Sequence, residues 1–146
     1  MLNAVLDSTV LVSAFLTEKG ISGRLLRYAR EEAFTLCLSD EILEETARVL
    51  LRYKRIRQRY EYTDDKVLQF VQGLRVLTRL STNPPAIKGV SRDPNDDMVI
   101  ACALATDSSY LVTRDDDLLT LGTYQQVTML PPEEFIHLLR EQRPGP

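Results

Sequence analysis

Short apolar runs alternate along the chain with longer stretches in which apolar residues recur every three or four positions. The first pattern predicts buried parallel strands and the second amphipathic helices. Residues 2–6 form the first strand, and residues 9–16 a helical segment. Gly20 and Gly23 are expected to break that segment, and a second helical piece runs to about Glu32. Residues 34–38 read as the second strand. Ser39 is placed to cap a helix whose Asp40 and Glu41 put negative charge in the first turn. That helix carries Ile42, Leu43, Thr46, Val49, Leu50 and Tyr53 at helical spacing. Asp64 is expected to cap the next helix, with Val67, Leu68, Phe70, Val71 and Leu74 as its stripe. Residues 75–80 read as a third strand, and Asn83-Pro84-Pro85 with Gly89 as a connector. Asp93-Pro94 pairs an N-cap with a proline at the first helical position, and Ile100, Ala103 and Leu104 supply the buried face. Residues 110–113 are a fourth strand, 117–121 a short helix and 127–130 a fifth strand, and Pro131-Pro132 opens the last helix. Residues 143–146 read as a loose tail, which leaves 1–142 as one domain. The alternation predicts an α/β fold: a parallel sheet of about five strands covered on both faces.

Composition narrows the chemistry. The 146 residues are 44% hydrophobic and 27% charged, which is globular material able to bury a core. A net charge of −3 does not point to a basic nucleic-acid binder, although a total hides local clusters. Cys37 and Cys102 each fall inside an apolar segment and read as small core residues, since two isolated cysteines make neither a zinc quartet nor a disulfide framework. No leader-like opening and no apolar run near a membrane span of roughly 18 residues are present, so a cytoplasmic location is expected. His137 is the single histidine, which excludes a two-histidine ribonuclease mechanism within one chain; it reads as a surface or packing residue. Neither a Gly-x-Gly-x-x-Gly nor a P-loop supports a nucleotide cofactor.

Four acidic positions carry the remaining signal. Asp7 follows the first strand, Asp115 follows the fourth, and Asp96 lies at the start of a helix. The carboxyl ends of parallel strands share one edge, and ligands bind in the crevice there. Carboxylates gathered at that edge repel one another unless a cation neutralises them. Hard oxygen ligands suit Mg²⁺ or Mn²⁺. Each aspartate also has an ordinary use as an N-cap, and Asp93 fits that use best. Capping does not explain Glu45, which sits one turn after Ile42 and one turn before Val49 at the border of the apolar stripe. Glu44, four residues before Arg48, is expected to pair with it on the surface. Asp96 leads the face that continues through Ile100 and Ala103, whereas Asp97 is offset by about 100°. Asp115 is nearest its strand end, with Asp117 as second choice. Residues 48–60 hold six basic residues, Arg48, Arg52, Lys54, Arg55, Arg57 and Arg59, with Tyr53 and Tyr60. Such a segment suits RNA, with tyrosines to stack on unpaired bases. A solvated helix end or a surface for an acidic partner fits it as well.

In this order and at these separations the segments resemble the PIN domain family, and most of all its VapC-like toxin branch in bacteria and archaea. Val5-Leu6-Asp7-Ser8-Thr9-Val10-Leu11-Val12-Ser13-Ala14 is similar to the family's opening. Ile42-Leu43-Glu44-Glu45 with Val49-Leu50, then Asp93-Pro94-Asn95-Asp96-Asp97, then Tyr110-Leu111-Val112-Thr113-Arg114-Asp115 resemble the segments bearing its second, third and fourth acids. The resemblance runs from Leu2 to about Leu130. It implies a three-layer α/β/α fold and a metal-dependent endoribonuclease acting on single-stranded RNA. One or two Mg²⁺ or Mn²⁺ ions would be held by Asp7, Asp96 and Asp115, with Glu45 helping directly or through water and Asp117 as a further candidate. Ser8, Thr9 and Thr113 would orient them, and Arg48, Arg52, Lys54, Arg55 and Arg57 would contact RNA. It also implies a cognate antitoxin and a homodimer. One departure matters: the family usually has Asp-Thr-Asn where this chain has Asp7-Ser8-Thr9. Thr9 lacks the amide that donates and accepts together. A PIN fold that binds RNA or a protein without cleaving is therefore the rival reading. Phosphotransfer through an Asp7 nucleophile is disfavoured, because Thr9 stands where haloacid-dehalogenase-like enzymes need a second aspartate.

Overall fold

The structure is a computed structural model that describes residues 1–81, 89–90 and 93–142. In chain order the elements are β1 (Asn3–Leu6), α1 (Ser8–Leu16), α2 (Ile21–Arg30), β2 (Thr35–Leu38), α3 (Asp40–Arg52), α4 (Lys54–Arg59) and α5 (Asp64–Leu77). There follow β3 (Arg79–Leu80), α6 (Pro94–Ala105), β4 (Tyr110–Val112), α7 (Asp116–Leu121), β5 (Thr123–Tyr124), β6 (Val127–Leu130) and α8 (Pro132–Gln142). The strands form one sheet in the order β3-β2-β1-β4-β6-β5, parallel except for β5, which runs antiparallel to β6.

β1 lies at the centre because Ala4, Val5 and Leu6 are apolar on both faces and fully buried. It pairs with β2 through Val5 opposite Cys37 and with β4 through Leu6 opposite Val112. The chain winds from β1 outward to β2 and β3, then crosses back to β4 and β6. With right-handed crossovers, that reversal puts α1 to α5 over one face and α6 and α7 over the other. The result is the three-layer α/β/α arrangement that the alternation of elements predicted. α8 packs against α2, where the rings of Phe34 and Phe135 meet edge to face at 5.1 Å. β1 and β4 end side by side beneath the N-termini of α1 and α7, and this reversal of winding opens the crevice.

Several local readings change. Residues 75–80 were expected as a strand, but helix α5 continues to Leu77 and β3 is only Arg79–Leu80. Val67, Val71, Leu74 and Leu77 keep helical spacing to the end, and Val76 stands 80% exposed. Thr63, not Asp64, caps α5, accepting from the Lys66 amide at 3.2 Å; Asp64 binds Arg57 instead. β5 is an added strand, made by a tight hairpin at Gln125, whose φ is 52°. The helical segment after Ser39 divides at Tyr53 into α3 and α4. The Asn83-Pro84-Pro85 connector and the tail at 143–146 lie outside the described residues. Among the described residues no helix is long and apolar enough to cross a membrane.

The first helix ends at Leu16 with Thr17 as its C-cap, and Gly20 lies in the break as the N-cap of α2. Gly23 lies inside α2, and its role is close approach. A Cβ there would sit 1.9 Å from the Glu18 carbonyl oxygen, a backbone atom that cannot swing aside. Gly23→Ala is therefore expected to destabilise the fold by about 1–3 kcal/mol, read as a lowered Tm.

Candidate metal centre

The site is built from strand ends. Asp7 follows β1, and its N–H continues the ladder to the Val112 carbonyl at 3.1 Å. Its carboxylate caps α1, with Oδ1 accepting from the Val10 amide at 3.2 Å and from the Thr9 hydroxyl at 2.5 Å. Oδ2 accepts from the Thr113 hydroxyl. Thr113 follows β4 and is fully buried; its Oγ1 also accepts from the Asp115 amide at 2.9 Å. Thr9 Oγ1 accepts in turn from the Arg114 amide at 3.2 Å. Two hydroxyls thus tie the end of β1 to the end of β4. Thr9 both donates and accepts, which is the double role expected to be lost with the amide.

Burial sets the charge state of this knot. Asp7 is only 3% exposed. Removal from water pushes its carboxyl up from 3.8 to about 6, even though Thr113, Thr9 and the Val10 amide favour the charged form. The nearby Asp115 charge adds to the rise.

Asp96 is buried in the first turn of α6, whose cap is Asp93, accepting from the Asn95 amide at 2.9 Å. Asp97 is buried too, but its Oδ2 accepts from the Gly89 amide at 3.0 Å and so holds the preceding loop. Asp115 caps α7 through the Leu118 amide at 3.1 Å. Asp7, Ser8, Glu45, Asp96 and Asp115 line one cleft of about 260 Å³, and Thr9 reaches it as well. Asp117 lies beside the Asp96–Asp115 side: one carboxylate oxygen from each of Asp96, Asp115 and Asp117 falls within 4.8 Å of the others. Oxygens on one octahedral ion with bonds of about 2.1 Å stand about 3–4 Å apart, so small side-chain rotations close this set on a hard cation. The donor chemistry fits Mg²⁺ or Mn²⁺.

The glutamate wall differs from expectation in its partners. Arg48 was expected to pair with Glu44, yet its guanidinium grips Glu45, at 2.7 Å and 2.9 Å from Nη2 and 3.1 Å from Nε. Both spacings are near neighbours on a helix, and Glu45, only 20% exposed, offers both oxygens to a planar fork while Glu44 faces solvent. Arg57 is braced against Asp64 at 2.6 Å and the Tyr62 carbonyl at 3.2 Å. Arg52, Lys54 and Arg55 stand exposed. Sequence reasoning missed Glu41 and Asn95 as cleft-lining residues, and read Tyr53 only as a stacking candidate in the basic segment. Glu41 was legible only as first-turn charge, though it stands four residues before Glu45 and so shares its face.

Thr113→Val keeps the shape and removes both hydrogen bonds. Metal affinity is expected to fall about 10–100-fold, measured by calorimetric titration with Mn²⁺.

A mostly parallel sheet flanked by helices, with a crevice of carboxylates at its carboxyl edge, defines an α/β protein with a site suited to a divalent metal. The chain belongs to the PIN domain family, which residues 3–117 match. Members of this family are generally nucleases that use divalent metals. An uncharacterized protein of Methanocaldococcus jannaschii, MJ1680, is 27% identical over 143 residues, covering 92% of this chain and 90% of that protein. A solved structure, VapBC2 from Rickettsia felis bound to a DNA fragment from their promoter, contains a chain similar in fold. Its TM-score is 0.56 at 12% identity, covering 89% of this chain and 98% of that one.

Proposed function

We propose that this chain is a metal-dependent endoribonuclease cleaving single-stranded RNA, and the toxin of a type II toxin–antitoxin pair in the cytoplasm. The observation that carries the reading is the meeting of Asp7, Glu45, Asp96 and Asp115, from four separate elements, in one cleft. Asp96 and Asp115, with Asp117 beside them, are the residues to hold Mg²⁺ or Mn²⁺. Held there, a divalent ion would activate a water and offset charge on the scissile phosphate. Asp7 adds a buried charge next to the set, and Thr9 and Thr113 fix its orientation. Ser8 lines the same wall. Glu45 faces the set across the cleft, steadied by Arg48. Arg52, Lys54 and Arg55 lie exposed near the α3–α4 junction, where positive charge attracts a phosphodiester backbone. Arg57 braces that segment from behind. The likeness to a chain of VapBC2 supports an antitoxin partner, and we extend the reading to a homodimer.

The test is cleavage of a mixed single-stranded RNA by the purified chain in EDTA, Mg²⁺ and Mn²⁺, with Asp7→Asn and Asp96→Asn alongside. Cleavage that needs metal and both carboxylates supports the nuclease. Folded, partner-free protein that binds metal and RNA without cutting them supports the rival binding module, the reading motivated by Thr9.

A further inference from the structure

We propose that Tyr53 is a base-stacking residue that selects an unpaired nucleotide beside the scissile phosphate, and that Arg48 positions it. The inference rests on the nuclease reading and names the feature of the substrate that the same cleft recognises. Tyr53 stands at the junction of α3 and α4 with an extended backbone (φ −76°, ψ 108°), and its N–H closes α3 on the Val49 carbonyl at 3.1 Å. The helix break leaves the ring on the wall of the acidic cleft. Tyr53 is 46% exposed. Other aromatics that follow it are used otherwise: Tyr62 and Phe70 pack edge to face on Phe15 at 5.0 Å and 5.1 Å, and Tyr60 is half-buried with the Arg59 guanidinium 5.8 Å from its ring centroid. A tyrosine exposed on its own is ordinary; its place on the wall of the acidic cleft is what offers this ring to a ligand.

Arg48 explains how the ring is held. Its guanidinium lies 5.5 Å from the Tyr53 ring centroid while its fork holds both oxygens of Glu45. One cation therefore couples the position of a cleft carboxylate to the position of the ring. With its charge engaged by Glu45, Arg48 serves as a positioning residue, and phosphate contact falls to Arg52, Lys54 and Arg55. Bases of single-stranded nucleic acid stack on aromatic side chains whatever their identity, a gain of about 5–100-fold in affinity per base. A duplex base, already stacked on both faces, has no face to offer.

The chain has no tryptophan, so Tyr53→Trp introduces a single indole at the cleft. In an Asp96→Asn background, titration with a short single-stranded oligoadenylate is expected to quench indole emission with the midpoint that fluorescence anisotropy gives for binding. A duplex of equal length is expected to leave emission unchanged. In the otherwise unaltered chain, Tyr53→Ala is expected to raise KM about tenfold with kcat within about twofold, because stacking acts equally on the bound substrate and its transition state. Tyr53→Phe keeps the ring face and is expected to raise KM less than Tyr53→Ala. Binding without quenching, equal losses in the Phe and Ala variants, or a fall in kcat in place of a rise in KM overturns the proposal. Failure of the unaltered chain to cleave RNA at all overturns the nuclease reading instead, and the quenching titration still decides the stacking.

Discussion

Asp96→Asn is expected to reduce metal-dependent RNA cleavage by at least about 100-fold. The side chain is 8% exposed and supplies the buried member of the Asp96–Asp115–Asp117 oxygen set. Asparagine has the same shape and no charge, so the cleft keeps its form and loses its strongest claim on a cation. The helix does not depend on this carboxylate for its start, because Asp93 caps α6. Asp97→Asn is the matched control. Asp97 is also buried, but its oxygen accepts from Gly89, a role an amide oxygen can keep, so this substitution is expected to spare kcat. Initial rates in saturating Mn²⁺, with melting curves for each protein, separate the two. Full activity in Asp96→Asn removes this residue from the metal centre.

The second large effect runs in the opposite direction for stability. In the metal-free protein Asp7 titrates near 6 against 3.8 for an ordinary aspartate. Between those values the folded chain keeps a proton that the unfolded chain has released, so its contribution to stability is fully present below about pH 4 and is lost as pH rises through 6. At pH 7 the buried charge costs up to about 3 kcal/mol. Asp7→Asn removes that cost while its amide oxygen can still accept from the Val10 amide and the threonine hydroxyls can rotate. The metal-free variant is expected to melt about 5–10 °C above the unaltered chain at pH 7, with the gain vanishing near pH 4. Saturating Mn²⁺ should narrow the gap, since a cation stabilises the carboxylate and not the amide. The same substitution is expected to abolish cleavage, so the carboxylate is kept at the expense of stability. A variant that melts lower than the parent at pH 7 contradicts this account.

Much of the fold could be read because the four long strands are written as apolar runs. Residues 2–6, 34–38, 110–113 and 127–130 each lie within a residue or two of an observed strand. β5 could not be read, and β3 was read too long at its start. Each has two residues, too few for a period, and β3 follows a helix whose apolar spacing continues through Leu77. At the site, residue identity showed which carboxylates stand at strand ends, but not how each is used. Asp115 caps a helix and also belongs to the oxygen set, so capping and metal binding are not exclusive uses. Which glutamate Arg48 chooses depends on burial, which sequence spacing leaves open. The contribution of Thr9 was hidden for a different reason. Its acceptor role depends on the Arg114 amide, 105 residues away in sequence, and only the adjacency of β1 and β4 brings them together.

Both rims of the sheet end in strands of two residues, Arg79–Leu80 and Thr123–Tyr124, and the first carries an exposed arginine. So short a margin offers almost no unpaired backbone to another polypeptide, and a charge there discourages what remains. Among the described residues, joining copies edge to edge into a continuous ribbon is therefore disfavoured, and side chains on the helices are the better-suited surface for assembly.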